Sequence, residues 1–167
     1  MLGLPAEVDR VLNQFLCCEV ATVGRDGTPL TWPAVPLYLP ERGKILLTTT
    51  IGFPVKALNV EREPRVSLLY SDPTGSDLLD APAVLIQGSA VVADGVRTWG
   101  TDLAAHWQRV NAVQPASRQF SRTPAVRWFM DWYYMRLLIY VTPVRLVWWP
   151  HHDTTVAPTQ ERLAGVD

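Results

Sequence analysis

Cysteine is scarce in this chain: there are two, Cys17 and Cys18, and they are adjacent. Adjacent thiols suit neither a disulfide framework nor a zinc site, whose ligands need spacing. They read instead as small buried hydrophobes at the end of a helix, in a reducing compartment. Histidine is nearly as rare, at three residues. His151 and His152, followed by Asp153, are neighbours on a polar segment with no further ligand in view, so they do not form a metal site. His106 sits in an aromatic-rich helix, where it reads first as a helix-surface or capped histidine and second as an acid. There is no G-x-S-x-G turn, which argues against an elbow-type hydrolase, and no G-x-G-x-x-G loop, which argues against a Rossmann nicotinamide site. Long apolar runs are missing as well. The richest stretch, Val126 to Pro150, is interrupted by Arg127, Asp131, Arg136 and Arg145, which no membrane-spanning helix would carry. The N-terminus lacks a basic region followed by an apolar core, so a cytoplasmic location is expected. Charge of one sign is also absent: 15 basic against 16 acidic side chains give no overall attraction for nucleic acid. Lysine is rarest of all among the charges, with only Lys44 and Lys56 against 13 arginines.

What is present is a globular composition. The 167 residues are 48% hydrophobic and 19% charged, enough for one domain with a real core. Pro5 to Leu16 predicts an amphipathic helix, with Val8, Leu12, Phe15 and Leu16 on one stripe. A short strand, Val20 to Val23, leads into Asp26-Gly27, a strong hairpin signal, and Thr28 to Leu39 returns as a second strand. Pro29, Pro33 and Pro36 deny that strand three donors, so it must lie at an edge, bulge or bend. Further strands are predicted over Lys44 to Thr50, Arg65 to Ser71, Ala83 to Ala93 and Leu137 to Trp149. Trp99 to Val113 predicts a helix with Leu103, Trp107 and Val110 on one face, and Thr123-Pro124 opens another reaching Met135. Closely spaced strands without alternating crossover helices point to an antiparallel barrel of the α+β class, mainly β. The expected organisation is one domain over residues 1–150, with a two-helix aromatic insertion at about 99–136 before the last strand, and a loosely held polar tail at 151–167.

One stretch concentrates chemistry. Lys44 to Thr50 ends in three hydroxyls, Thr48, Thr49 and Thr50; Gly52 breaks the strand, Pro54 can open a helix, and Lys56 falls in its first turn. Hydroxyls, helix N-terminus and ammonium together would favour an anion such as phosphate; the alternative is a solvated lysine on a connecting helix. Gln87, set in the apolar middle of its strand, either bonds neighbouring backbone or faces a ligand. Six of the seven tryptophans lie in the C-terminal half, and three uses stay open for them: core and interface packing, a stacking lid over a ligand, or contact with a membrane surface. Few basic residues accompany them, which argues against the last.

The segments V-A-T-V-G-R-D-G-T-P-L (Val20 to Leu30), L-L-T-T-T (Leu46 to Thr50), K-A-L-N-V-E-R-E-P-R-V-S-L-L (Lys56 to Leu69) and V-L-I-Q-G-S-A (Val84 to Ala90), in this order, resemble the pyridoxamine 5'-phosphate oxidase-like family. V-T-P-V-R-L-V-W-W (Val141 to Trp149) looks like that family's closing strand. The resemblance implies an FMN-binding split β-barrel, into which the six predicted antiparallel strands would close, in a homodimer with the cofactor at the subunit interface. It places Thr49, Thr50 and Lys56, with Thr48 beside them, at the cofactor phosphate. Trp32, Pro33, Ala34 and Val35 would border the flavin ring, and Gln87 and Gly88 would reach the cofactor from the facing region of the dimer. Family members often carry Ser or Arg where this chain has Pro54, so phosphate affinity would be lower here, or be supplied by an arginine elsewhere, such as Arg65. The activity implied is FMN-dependent hydride transfer to or from a small organic substrate. Oxidation of pyridoxamine phosphate itself is not expected, because basic residues to grip a second phosphate are not evident near the C-terminus. A deazaflavin-dependent reductase of the same fold, or a non-catalytic flavin- or ligand-binding module, are the alternatives.

Overall fold

The structure, a computed structural model, describes residues 2–113 and 134–163. Helix α1 (Ala6–Gln14) forms where expected, with Glu7 and Asp9 in its first turn favouring the helix dipole. Its buried stripe is Val8, Val11 and Leu12, continued by Phe15 just past the helix end. Strand β1 (Cys18–Val23) turns through Gly27, at φ 83°, into β2 (Pro29–Ala34). The Asp26 carboxylate accepts the Thr28 N–H at 3.0 Å, so the Asp-Gly pair builds the turn as read.

The sequence predicts one strand from Thr28 to Leu39; the structure makes two. Val35 and Pro36 part β2 from β3 (Leu37–Leu39), and the prolines explain the break, since each removes a ladder donor. Strand β4 (Lys44–Thr50), helix α2 (Val55–Arg62), β5 (Arg65–Tyr70), β6 (Ala83–Val92), helix α3 (Thr101–Val113) and β7 (Arg136–Trp149) follow. A short β8 (Thr159–Arg162) then forms within the tail that the sequence presents as loose. It is fully exposed along its length and offers no alternation to read. The expected six strands are therefore too few: seven run in the order β2-β1-β5-β6-β7-β4-β3, and β8 pairs with β7 beside them. The second predicted helix of the aromatic insertion lies outside the described residues.

Every pairing is antiparallel. The two ends of the sheet, β2 and β3, are separated in the chain by Val35 and Pro36 alone, so Ala34 and Leu37 lie at most about 11 Å apart. A sheet whose opposite edges are that close must curl on itself, and this chain link closes the barrel. β7 is its spine: β6 runs along one side, while β4 and then β8 share the other.

The inner face holds the main core, including Val20, Ile45, Leu47, Leu68, Tyr70, Ile86, Val141 and Leu146, with α1 and α2 packed on it. A second cluster forms on the outside, where Leu103 of α3 covers Leu46 and Leu138. Strict alternation along β4 thus serves two layers, Ile45 and Leu47 inward and Leu46 outward. Among the described residues no helix is long and apolar enough to cross a membrane.

Candidate functional site

Lys56 sits on the first turn of α2, half-buried where that helix closes the barrel end. Among the described residues no carboxylate lies within ion-pair distance of it. Burial holds its ammonium below the ordinary lysine value, and the Arg136 guanidinium lowers it further, while Cys18 opposes the shift. Those two neighbours locate the residue. Cys18 stands opposite Ala34 in the β1–β2 register, and Arg136 stands opposite Thr50 in the β4–β7 register. The fold thus gathers three of the predicted segments, the Trp32-to-Val35 strand, the threonines and Lys56, at one end of the barrel. Arg136, rather than the Arg65 suggested by sequence, is the arginine whose charge bears on Lys56. Arg65 is solvent-facing and paired with Glu63.

The three threonines each have a bond of their own. Thr48 Oγ1 lies 3.0 Å from His106 Nε2. Thr49, buried, donates to the Phe53 carbonyl at 2.7 Å, which shapes the turn into α2. Thr50 Oγ1 accepts the Gly52 N–H at 3.3 Å. On β2, Trp32 and Ala34 share a half-buried face, Pro33 points outward, and Val35 is half-buried in the link to β3. As an edge strand β2 tolerates Pro29 and Pro33 without losing ladder bonds to a second neighbour.

His106 is not a surface residue. It is 4% exposed, wedged between the body of α3 and β4, and among the described residues its Nδ1 has no hydrogen-bond partner. Burial, then Arg136 and Arg109, push its pKa down to about 4, so it is neutral at pH 7. Arg109 reaches from α3 to the Asn13 and Phe15 carbonyls, tying the insertion helix to the end of α1. Arg136 stacks over Trp107 at 4.7 Å, so that tryptophan serves packing and charge placement. Trp148 is buried and donates to Glu7, whereas Trp99 is 83% exposed. Trp128 and Trp132 lie outside the described residues.

Gln87 and Gly88 lie elsewhere. Thr48 pairs with Leu138 and Gln87 with Arg145, seven residues along β7 and so roughly 23 Å apart. Gly88 has its own reason to be glycine: a Cβ there would meet the Thr142 carbonyl oxygen at 2.4 Å. The register slips at this point, so that Val144 is unpaired with β6 and the strand bulges. Gln87 points outward and accepts from Arg145 at 3.3 Å. It lines an open cleft of about 930 Å³ across the outer face of β1, β5, β6, β7 and β8, with Arg65, Ser67, Arg145, Gln160 and Arg162.

No protein-family model matches the chain, and no curated protein sequence does. Solved structures do match in shape. A protein related to general stress protein 26, of the pyridoxinephosphate oxidase family, from Clostridium acetobutylicum superposes with a TM-score of 0.57 at 11% identity, over 93% of this chain and 92% of that one. The fold is that of the pyridoxinephosphate oxidase structures. A conserved hypothetical protein from Mycobacterium tuberculosis shares this split barrel with a TM-score of 0.60 at 21% identity, over 99% and 95% of the two chains. An F420 reductase shares it with a TM-score of 0.56 at 20% identity, over 86% and 98%.

Proposed function

We propose that the chain is a flavin-dependent oxidoreductase of the pyridoxamine 5'-phosphate oxidase-like group, holding FMN between two copies of itself. One observation carries this: Lys56 is a half-buried cation with no carboxylate in ion-pair distance among the described residues, set among the segments that border the cofactor in that group. A cation removed from water without a partner is costly unless something anionic joins it, and a phosphate ester fits both the charge and the helix N-terminus. Lys56 would hold the phosphate, with Arg136 adding positive field. Trp32, Pro33 and Ala34, on an edge strand, would flank the ring. Gln87 lies too far along β7 to reach the same cofactor from the same copy, and its bond to Arg145 gives it a separate use on the outer face. When bound, the flavin supplies hydride chemistry, and the chain supplies position, charge and exclusion of water.

A deazaflavin is the second reading, favoured by the presence of an F420 reductase among the structures that share the fold. A non-catalytic flavin carrier is the third. Absorption of the purified protein separates them: bound yellow FMN supports the first, and a colourless protein that takes up added deazaflavin supports the second. Flavin that neither reduces nor reoxidises with any donor supports the third. Replacing the lysine tests the anchor. Lys56→Ala should weaken FMN binding by about 1.5–3 kcal/mol, the range for a hydrogen bond to a charged group. An unchanged dissociation constant removes Lys56 from the site.

A further inference from the structure

The outer-face cleft contains an arrangement that the barrel does not need. Arg145 on β7 and Arg162 on β8 are direct cross-strand partners. Like charges facing each other across a ladder repel. Among the described residues neither forms an ion pair, and the one acid lining the cleft, Glu161, stands opposite Leu146. Arg145 is nevertheless held in place. Its guanidinium donates to Gln87 Oε1 at 3.3 Å and to Gln160 Oε1 at 2.5 Å, two amide oxygens that orient a cation without neutralising it. Arg65, on the far wall, adds a third positive group, though Glu63 partly balances it. The bulge opposite Gln87 and Gly88 interrupts the regular ladder next to Arg145. A pre-oriented guanidinium with spare donors beside a second, unpaired guanidinium is the chemistry that recognises an oxyanion.

We propose that this cleft is a binding site for the phosphate or carboxylate group of a small anionic molecule, seated between Arg145 and Arg162. Its volume of about 930 Å³ leaves room for more than the anion. β8 is what makes the site: it supplies Arg162, and its Gln160 fixes Arg145. The site is separate from Lys56 and does not depend on the flavin reading.

The test is a titration of the full chain with inorganic phosphate, and separately with acetate, followed by the NMR signals of the arginine Nε–H groups and glutamine side-chain amides. Saturable shifts at Arg145, Gln87 and Gln160 are expected. Arg145→Gln should weaken phosphate binding roughly tenfold or more, as should Arg162→Gln, while Lys56→Ala leaves these shifts in place. Arg162→Gln should also raise the melting temperature in anion-free buffer, because it removes the repulsion, and phosphate should raise that of the wild type but not of the variant. A stronger response to phosphate than to acetate assigns the ligand's group as phosphate, and the reverse assigns a carboxylate. The proposal is overturned if neither anion moves these signals, or if Arg145→Gln binds as tightly as wild type. It is equally overturned if sedimentation shows a dimer that Arg145→Gln dissociates, since a second copy then fills the cleft.

Discussion

Acidification should loosen this protein through one residue, His106. The side chain is 4% exposed, accepts or donates one bond at Thr48, and has Arg109 and Arg136 as its charged neighbours. Protonating it would bury a charge away from water and set it beside the Arg136 and Arg109 guanidiniums, which is why its pKa falls to about 4. The unfolded chain takes up that proton near the ordinary histidine value of about 6.5, so between the two values the unfolded state binds more protons and stability falls as pH falls. Its contribution is therefore complete above about pH 6.5. The linkage relation gives a loss of about 2 kcal/mol by pH 5 and about 3 kcal/mol by pH 4 from this group alone. Urea unfolding across that range measures it. Carboxylates also titrate towards the acid end, so the informative quantity is the difference between wild type and His106→Gln. The glutamine keeps a neutral group against Thr48 and cannot titrate, so its stability should be flatter by the amount above. Parallel curves for the two proteins would show that His106 is not the buried neutral base described, and the reasoning would fail.

Two further outcomes follow from the same geometry. FMN affinity should fall as pH rises through the depressed pKa of Lys56, below the ordinary lysine range, because the bound anion requires the ammonium. Calorimetry in buffers of different ionisation enthalpy should register proton uptake on binding in that range, and no uptake would separate the lysine from the phosphate. Gly88→Ala should cost about 3 kcal/mol or more, since its Cβ would strike backbone rather than a flexible side chain. Thermal unfolding should register this as a drop of roughly 6–12 °C.

Much of the fold was legible because the relevant signals are local. Strand β4 has the predicted bounds, since β-branched and apolar residues run up to a glycine break. The Asp26-Gly27 turn, the α1 stripe and the buried Leu103 and Val110 of α3 likewise rest on residues a few positions apart. What escaped is what depends on partners distant in sequence. β8 reads T-Q-E-R, polar and exposed throughout, and only the exposed side of β7 makes it a strand. In the sequence His106 reads first as a helix-surface or capped histidine. Its burial comes from β4, whose outward face carries Leu46 and Thr48. Arg65, Arg145 and Arg162 are isolated in the sequence, and three antiparallel strands place them on one cleft.

The candidate cofactor site was half legible for the same reason. Lys56 could be singled out by composition and by its place after a strand ending in hydroxyls, yet its partners could not, because Cys18 and Arg136 reach it only through the curl of the sheet. That curl is itself dictated by two residues. If Val35 and Pro36 joined neighbouring strands, β2 and β3 would form a hairpin within a flat sheet, and the Trp32-to-Ala34 edge would lie far from β4. Because they join the first and last strands of the order instead, the edge strand is carried round to the end of the barrel that α2 closes. The prolines that place this segment at an edge, bulge or bend thus let the Trp32-to-Ala34 edge and the first turn of α2 share one end of the molecule.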